Sequence, residues 1–404
     1  MRIMRSLIAV SAFALATTAL AVAPAMADPV NSHYKAVKPN PWDIVTVGSE
    51  TTTYLIDQLA HNYDATLKKS TTTTPFLYSW DAVPPNNPLD TTSMITPKRG
   101  CKSILRPDGS SAGIAAVAGQ TDGSVKWTYH YTTGRRGHKK HHTKRGTSPC
   151  FNFARSSRPR ASTDPAFAPG GVSFVALGRD AITYATTSNS NAPTNLTTAD
   201  LTNIFNCTYT TWNQIPGNSG GSTATIDPIL PQLGSGTLST FTGILGIGTS
   251  EPTCSSVTQA NAPEENEGTS PVFLTGSTPN PNVIYPFSIG SYLSQEFHSP
   301  ACGKKPTGSQ NHFGCDETGV LFLRDINSTV PTTGSGQNTV INPGFSGNFF
   351  RILYDVVPYA NNSLHIPSAY AKFLGPKGYF CKSAQHKVLE DYGYLPTQIC
   401  GFAS

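Results

Sequence analysis

Much that would place this chain in a familiar class is missing from it. Beyond residue 22 no apolar run approaches the length a bilayer demands. No segment recurs along the chain. No Gly-x-Ser-x-Gly elbow leads to a plausible triad, no His-Glu-x-x-His pair occurs, and histidines such as His61 and His312 are scattered. Hydrolysis by a nucleophile with its base, or by a two-metal centre, therefore has no visible machinery, and the expectation is a protein that is not an enzyme and needs no cofactor or metal. Charge is scarce at 13% of residues, and the formal net charge is only +5. Two of the positive charges, Arg2 and Arg5, lie in the first five residues, and six more crowd into one stretch, residues 134–145. The remainder is slightly acidic, so overall charge argues against a nucleic-acid partner.

What is present begins with a basic start, an uncharged run from Leu7 to Val22 and the small residues Ala25-Met26-Ala27. This is the pattern of a secretory signal peptide, residues 1–27, cut after Ala27. No cysteine follows the apolar run, so the expectation is a secreted or cell-wall-associated protein that is not a lipoprotein. The remaining chain is long enough for two domains. Its 35 glycines and 32 prolines give a loop-rich extracellular profile, while recurring apolar runs exclude disorder. All eight cysteines lie in this part, which suits an oxidising compartment. Of about 105 possible pairings, neighbours in sequence are favoured because each pair brackets one loop-rich excursion: Cys101–Cys150, Cys207–Cys254, Cys302–Cys315 and Cys381–Cys400.

Three stretches share one design, a strand end, a glycine-serine turn and a helix start. They are Asp43–Val47 with the turn Gly48-Ser49-Glu50-Thr51-Thr52; Gly109-Ser110-Ser111-Ala112-Gly113 before Ile114; and Ile229-Leu230 with Gly234-Ser235-Gly236-Thr237 before the helix marked by Leu238, Phe241 and Leu245. Such junctions point free backbone N–H groups and the positive end of a helix dipole at one place, where an anion replaces water. A fourth stretch, Phe153-Ala154-Arg155-Ser156-Ser157-Arg158, ends a short strand in hydroxyls between two arginines. Strands alternating with helices imply parallel βαβ units, whose ligands bind at the carboxyl ends of the strands. Val172–Leu177 running into Ala181–Tyr184 suggests a long strand crossing between domains, and the strand Phe349–Val357 leads back. Thr197 with Asp200 forms a capping-box-like helix start.

In order and spacing these elements resemble the phosphate-binding proteins that serve bacterial ABC importers, within the type II periplasmic-binding-protein fold. The resemblance runs from about Val45 to the end, through Leu196–Trp212, Val283–Gln295 and Asp391–Pro396. It implies an α/β fold of two lobes, each a mixed sheet flanked by helices and joined by hinge strands near Val175 and Leu353. Residues 28–178 and 349–404 would form the first lobe, and 179–348 the second. It also implies a dehydrated oxyanion clamped between the lobes. The candidate ligand-binding residues are Ser49, Glu50, Thr51, Thr52, Ser110, Ser111, Arg155, Ser156, Ser157, Gly234, Ser235, Gly236 and Thr237.

Two residues of the family pattern are absent. Ser157 stands where the family places a ligand-binding aspartate, and Pro231 where it places an arginine. Glu50 is the expected replacement acceptor for a phosphate proton, with a simple helix-capping role as its alternative. Arg155 is the expected cation, with Arg158 in support and Arg106 bracing its loop. The implied partners are inorganic phosphate or a similar oxyanion and an ABC permease, with the protein acting as a monomer. The basic stretch 134–145, expected to be a loop, is a candidate contact for an anionic cell-wall polymer. The acidic group Glu264–Glu267 is expected to be a loop, with Asn266 and Gly268 suiting a turn near the cleft. A clamp repurposed as a cell-wall or partner-binding module is the main alternative, and a phosphate-ester enzyme the lesser one.

Overall fold

The computed structural model describes residues 28–404 apart from 32, 86–89, 91, 120–122 and 136–137. The predicted signal peptide and its cleavage site lie outside the described residues. An eight-stranded mixed sheet runs through the protein. Its members, in chain order, are β1 (Ile44–Gly48), β2 (Leu77–Ser79), β3 (Phe153–Ser156), β4 (Val172–Thr187), β5 (Asp227–Pro228), β6 (Val283–Ser288), β7 (Leu321–Leu323) and β8 (Phe350–Pro358). Across the sheet the order is β5, β6, β4, β8, β3, β1, β2, with β7 pairing β4. Pairing is parallel within β2–β1–β3 and β5–β6 and antiparallel around β4 and β8. The two ends of the sheet are thus separate parallel units, and the long strands β4 and β8 tie them together. A register shift interrupts their pairing between Leu353 and Tyr354, a place where a strand bends most readily.

Apolar residues gather on either side of this junction. Leu55, Leu59, Phe153 and Tyr370 belong to one core, with Val45, Ile114 and Phe174 beside it. Leu201, Trp212, Phe241 and Phe349 belong to another, with Phe273 and Tyr285 beside it. Helix α1 (Thr53–Ala65) turns Leu55, Ile56, Leu59, Ala60 and Tyr63 inward, the helical period expected of a one-sided apolar face. Helix α2 (Gly109–Gly119) packs against β1 and β3. Helix α3 (Thr198–Phe205) begins with the reciprocal cap read from the sequence: Thr197 Oγ1 accepts from the Asp200 amide at 3.1 Å, and Asp200 accepts from the Thr197 amide at 2.9 Å. Helix α4 (Gly236–Leu245) follows Ser235, whose hydroxyl caps the Leu238 amide at 3.0 Å.

The latter part of the basic stretch, residues 140–145, is not a loop. Residues 124–133 and 140–149 pair antiparallel over ten rungs, so Lys140, Lys144 and Arg145 sit on a two-stranded ribbon. The alternation Val125, Trp127, Tyr129, Tyr131 is a strand pattern; Tyr131 stacks on Tyr129 and His142, and Trp127 and Tyr129 meet Trp42 edge-on. A ribbon this long needs such cross-strand ring contacts, because an isolated hairpin is marginally stable. Cys101–Cys150 closes beside its base, and Cys207–Cys254, Cys302–Cys315 and Cys381–Cys400 complete four disulfides between sequence neighbours.

Candidate functional site

The three glycine-serine turns converge at the boundary between the two halves of the sheet. Gly48 has φ +114°, Gly109 +76° and Gly234 +95°, backbone that side chains disfavour. The approach is close: a Cβ on Gly109 would lie 2.7 Å from the Gly234 carbonyl, and one on Gly236 would lie 2.2 Å from Ser157 Oγ. The Ser111 amide donates to the Gly234 carbonyl at 3.1 Å, so the two halves are in direct backbone contact.

At the centre of this contact lies a carboxylate belonging to the chain itself. Glu265 is completely buried. One of its oxygens accepts from the Thr51 amide at 3.2 Å and from Ser49 Oγ at 3.4 Å. The other accepts from Ser235 Oγ at 2.5 Å and from the Thr237 amide at 3.0 Å. Two amides at helix starts and two hydroxyls, contributed equally by the turns at 48–52 and 234–237, thus surround one anionic group. Around them, Thr51 Oγ1 lies 3.4 Å from Thr237 Oγ1 and accepts from Asn266 Nδ2 at 3.3 Å, while Ser49 Oγ and Ser157 Oγ lie 2.9 Å apart.

Of the residues expected from the sequence, Ser49, Thr51, Ser235 and Thr237 touch the Glu265 carboxylate directly. Ser110 and Ser157 stand one step away, where Ser110 Oγ accepts from the Ser157 amide at 3.1 Å. Gly234 and Gly236 shape the contact. Ser111 is engaged by Arg158, whose guanidinium also holds Asp164. Ser156 folds back onto the Arg158 carbonyl at 2.8 Å. The Thr52 hydroxyl is buried without a partner.

Arg155 differs from expectation. Its guanidinium points into the first half and donates to the Ser49, Gly48 and Trp80 carbonyls and to the Ser79 and Thr53 hydroxyls. It braces the β1 turn from behind, because its strand directs the side chain away from the cleft. The cation beside the cradle is instead Arg351 of β8. It pairs with Asp180 at 2.7 Å and donates to the Ser157 carbonyl at 3.0 Å, with Thr51 Oγ1 at 3.5 Å. Asp180 in turn accepts from Ser288 Oγ at 2.8 Å and the Gly290 amide at 3.0 Å. An arginine flanked by Phe350 and Ile352 at the start of this strand was the one available signal. Arg106, as expected, braces its loop, through Asp28 and the Asp81 carbonyl.

Glu50 stands apart from the four groups that touch the Glu265 carboxylate. Burial, then the carboxylates of Glu264, Glu265, Glu317 and Asp108, push it well above the usual carboxylate range. The shift favours the neutral acid over the carboxylate in Glu50. Its Oε2 has no partner, and it lines a cavity of about 20 Å³ together with Tyr54, Asn266, Gln295 and Tyr394, room for one water. Burial, then Glu265, raises Asp108 to about 6. Burial, then Asp108, raises Glu264 to about 9.

Among the described residues, one group of side chains is close enough to share a metal ion: Cys302, Cys315 and Glu317. Its sulfurs are already bonded to each other, and one carboxylate is too few for a site. No described helix is long and apolar enough to cross a membrane.

No curated protein matches this chain significantly. Similar solved structures include a substrate-binding protein of Clostridium perfringens with bound phosphate, at 12% identity and a TM-score of 0.49, covering 88% of this chain and 100% of that one. An ABC-type phosphate transport receptor of Vibrio cholerae gives 15% identity and 0.48 over 88% and 100%. A human phosphate binding apolipoprotein gives 13% and 0.42 over 88% and 91%. The sequence profile of the PBP superfamily domain matches residues 45–291, from the first strand of the sheet to the helix after β6 and across all four cradle donors. The chain belongs to the PBP superfamily.

Proposed function

We propose that this protein is a secreted solute-binding protein that captures phosphate or a similar tetrahedral oxyanion between its two halves. One observation carries the reading: Thr51 N, Thr237 N, Ser49 Oγ and Ser235 Oγ, drawn from both halves, converge on a single anionic group. Closure excludes water, which strengthens each of these bonds, and β4 and β8 absorb the motion. Arg351 supplies positive charge from the junction itself. Binding requires no covalent step and no cofactor, so the protein is not an enzyme in this reading. By resemblance, the closed form is delivered by a monomer to an ABC permease, residues 28–178 and 349–404 form one lobe, and the leader is removed near Ala27. The basic ribbon remains the proposed contact for an anionic cell-wall polymer.

A second reading has its own observation. Because Glu265 occupies the cradle, the fold also suits a clamp kept permanently shut and used as a binding surface. Calorimetric titration of the phosphate-stripped mature protein with phosphate, sulfate and arsenate separates the two. The first reading expects saturable binding that weakens about tenfold or more in Ser235→Ala, the loss of one hydrogen bond to a charged group. Binding indifferent to Ser235→Ala would move the site elsewhere, and no binding of any anion would favour the shut clamp.

A further inference from the structure

Resting on the oxyanion reading of this cradle, we infer that Glu265 is the residue that sets its specificity: an exchangeable in-chain ligand that every incoming anion must displace. The loop that carries it is anchored on both sides, and Glu265 reaches across beside Asn266, whose Nδ2 donates to Thr51 Oγ1 at 3.3 Å. Tyr285 holds the Glu264 carbonyl at 2.7 Å. Asn266 accepts from the Ser288 amide at 2.9 Å through its side chain and from Gln295 at 3.0 Å through its carbonyl. Asn266 adopts φ +63°, and a Cβ on Gly268 would lie 2.0 Å from the Thr318 carbonyl. The backbone is therefore fixed, and exchange needs only the halves to part and one side chain to rotate.

A tethered carboxylate acts at an effective concentration of about millimolar or more. Acetate and formate offer the cradle no more than Glu265 does, one negative charge and two oxygens, so the tether excludes them. A tetrahedral dianion brings more charge and additional oxygens, and therefore competes. Glu265 thus raises the threshold for entry. It also holds the empty protein closed, because Ser49 and Thr51 stand in one half and Ser235 and Thr237 in the other.

The test uses the mature protein, Glu265→Ala and Glu265→Gln, each shown folded by thermal melting. Small-angle scattering in anion-free buffer should find the native protein closed and both variants open. Acetate should then close Glu265→Ala while leaving the native protein unaffected. Phosphate should bind the variant about tenfold tighter or more, as expected when the competent state of the native protein is at most one-tenth populated. Variants that open and respond to acetate but ignore phosphate would uphold the exchangeable carboxylate and sink the phosphate reading. A native protein already open without anions would overturn the inference. So would variants as closed as the native protein, or variants that bind phosphate more weakly than it does.

Discussion

Gly236 offers a way to separate closure from folding. It is the first residue of α4, and a Cβ there would lie 2.2 Å from Ser157 Oγ and 2.5 Å from Ser110 Oγ, both in the opposite half. Ordinary contact distances of about 3.5–4 Å require those hydroxyls to retreat by more than about 1 Å. Ser157 cannot retreat alone, because its amide is bonded to Ser110 and its carbonyl to Arg351. Gly236→Ala should therefore cost the closed form about 1–3 kcal/mol, as overpacking does, or a factor of about 5 to 150 in its population. The open form feels none of this, and alanine favours helix over glycine by up to about 1 kcal/mol. The prediction has two signs. The radius of gyration in scattering should rise and anion affinity should fall, while the unfolding midpoint in urea stays level or improves. A variant as compact and as tight-binding as the native protein would show that the contact at Gly236 does not govern closure.

Two further outcomes follow from buried charge. Arg351→Met leaves Asp180 buried without its partner, so stability measured by denaturant unfolding should fall by about 3–5 kcal/mol; an unchanged midpoint would contradict a structural role for the pair. Asp108 and Glu264 both hold protons more tightly in this structure than in the unfolded chain. Their contribution is complete below the ordinary carboxylate range and is lost as pH rises through about 6 for Asp108 and about 9 for Glu264. The melting temperature should therefore decline between those limits, and Asp108→Asn should flatten the decline at its acidic end. A rising profile would contradict the proton-sharing arrangement.

The local grammar of the chain was legible. Glycine-serine turns before apolar helical faces, the Thr197–Asp200 cap and the long strand β4 follow from short-range rules that packing does not override. The donors at 49–51 and 235–237 were visible for the same reason, since a helix start exposes its amides whatever lies opposite. What occupies them was not visible. Glu265 comes from a loop-rich stretch in which Asn266 and Gly268 gave the only hint of a cleft-side turn, and nothing local says which of the glutamates Glu264, Glu265 and Glu267 reaches the cradle. Arg155 and Arg351 show the same limit. Both arginines lie on strands, and which face a strand turns to the cleft is decided by neighbours distant in sequence, here Trp80 and Asp180. The basic ribbon was not legible because residues 140–149 carry no apolar alternation of their own, and only the period-two aromatics of the preceding strand mark the pair.

The most direct test is a crystal structure of the mature protein grown with saturating phosphate. The account predicts a tetrahedral anion within hydrogen-bonding distance of Thr51 N, Thr237 N and Ser235 Oγ, with the Glu265 side chain turned out of the cradle and Arg351 still paired with Asp180. Glu265 unmoved in its place, with phosphate absent or bound only on the basic ribbon, would contradict it.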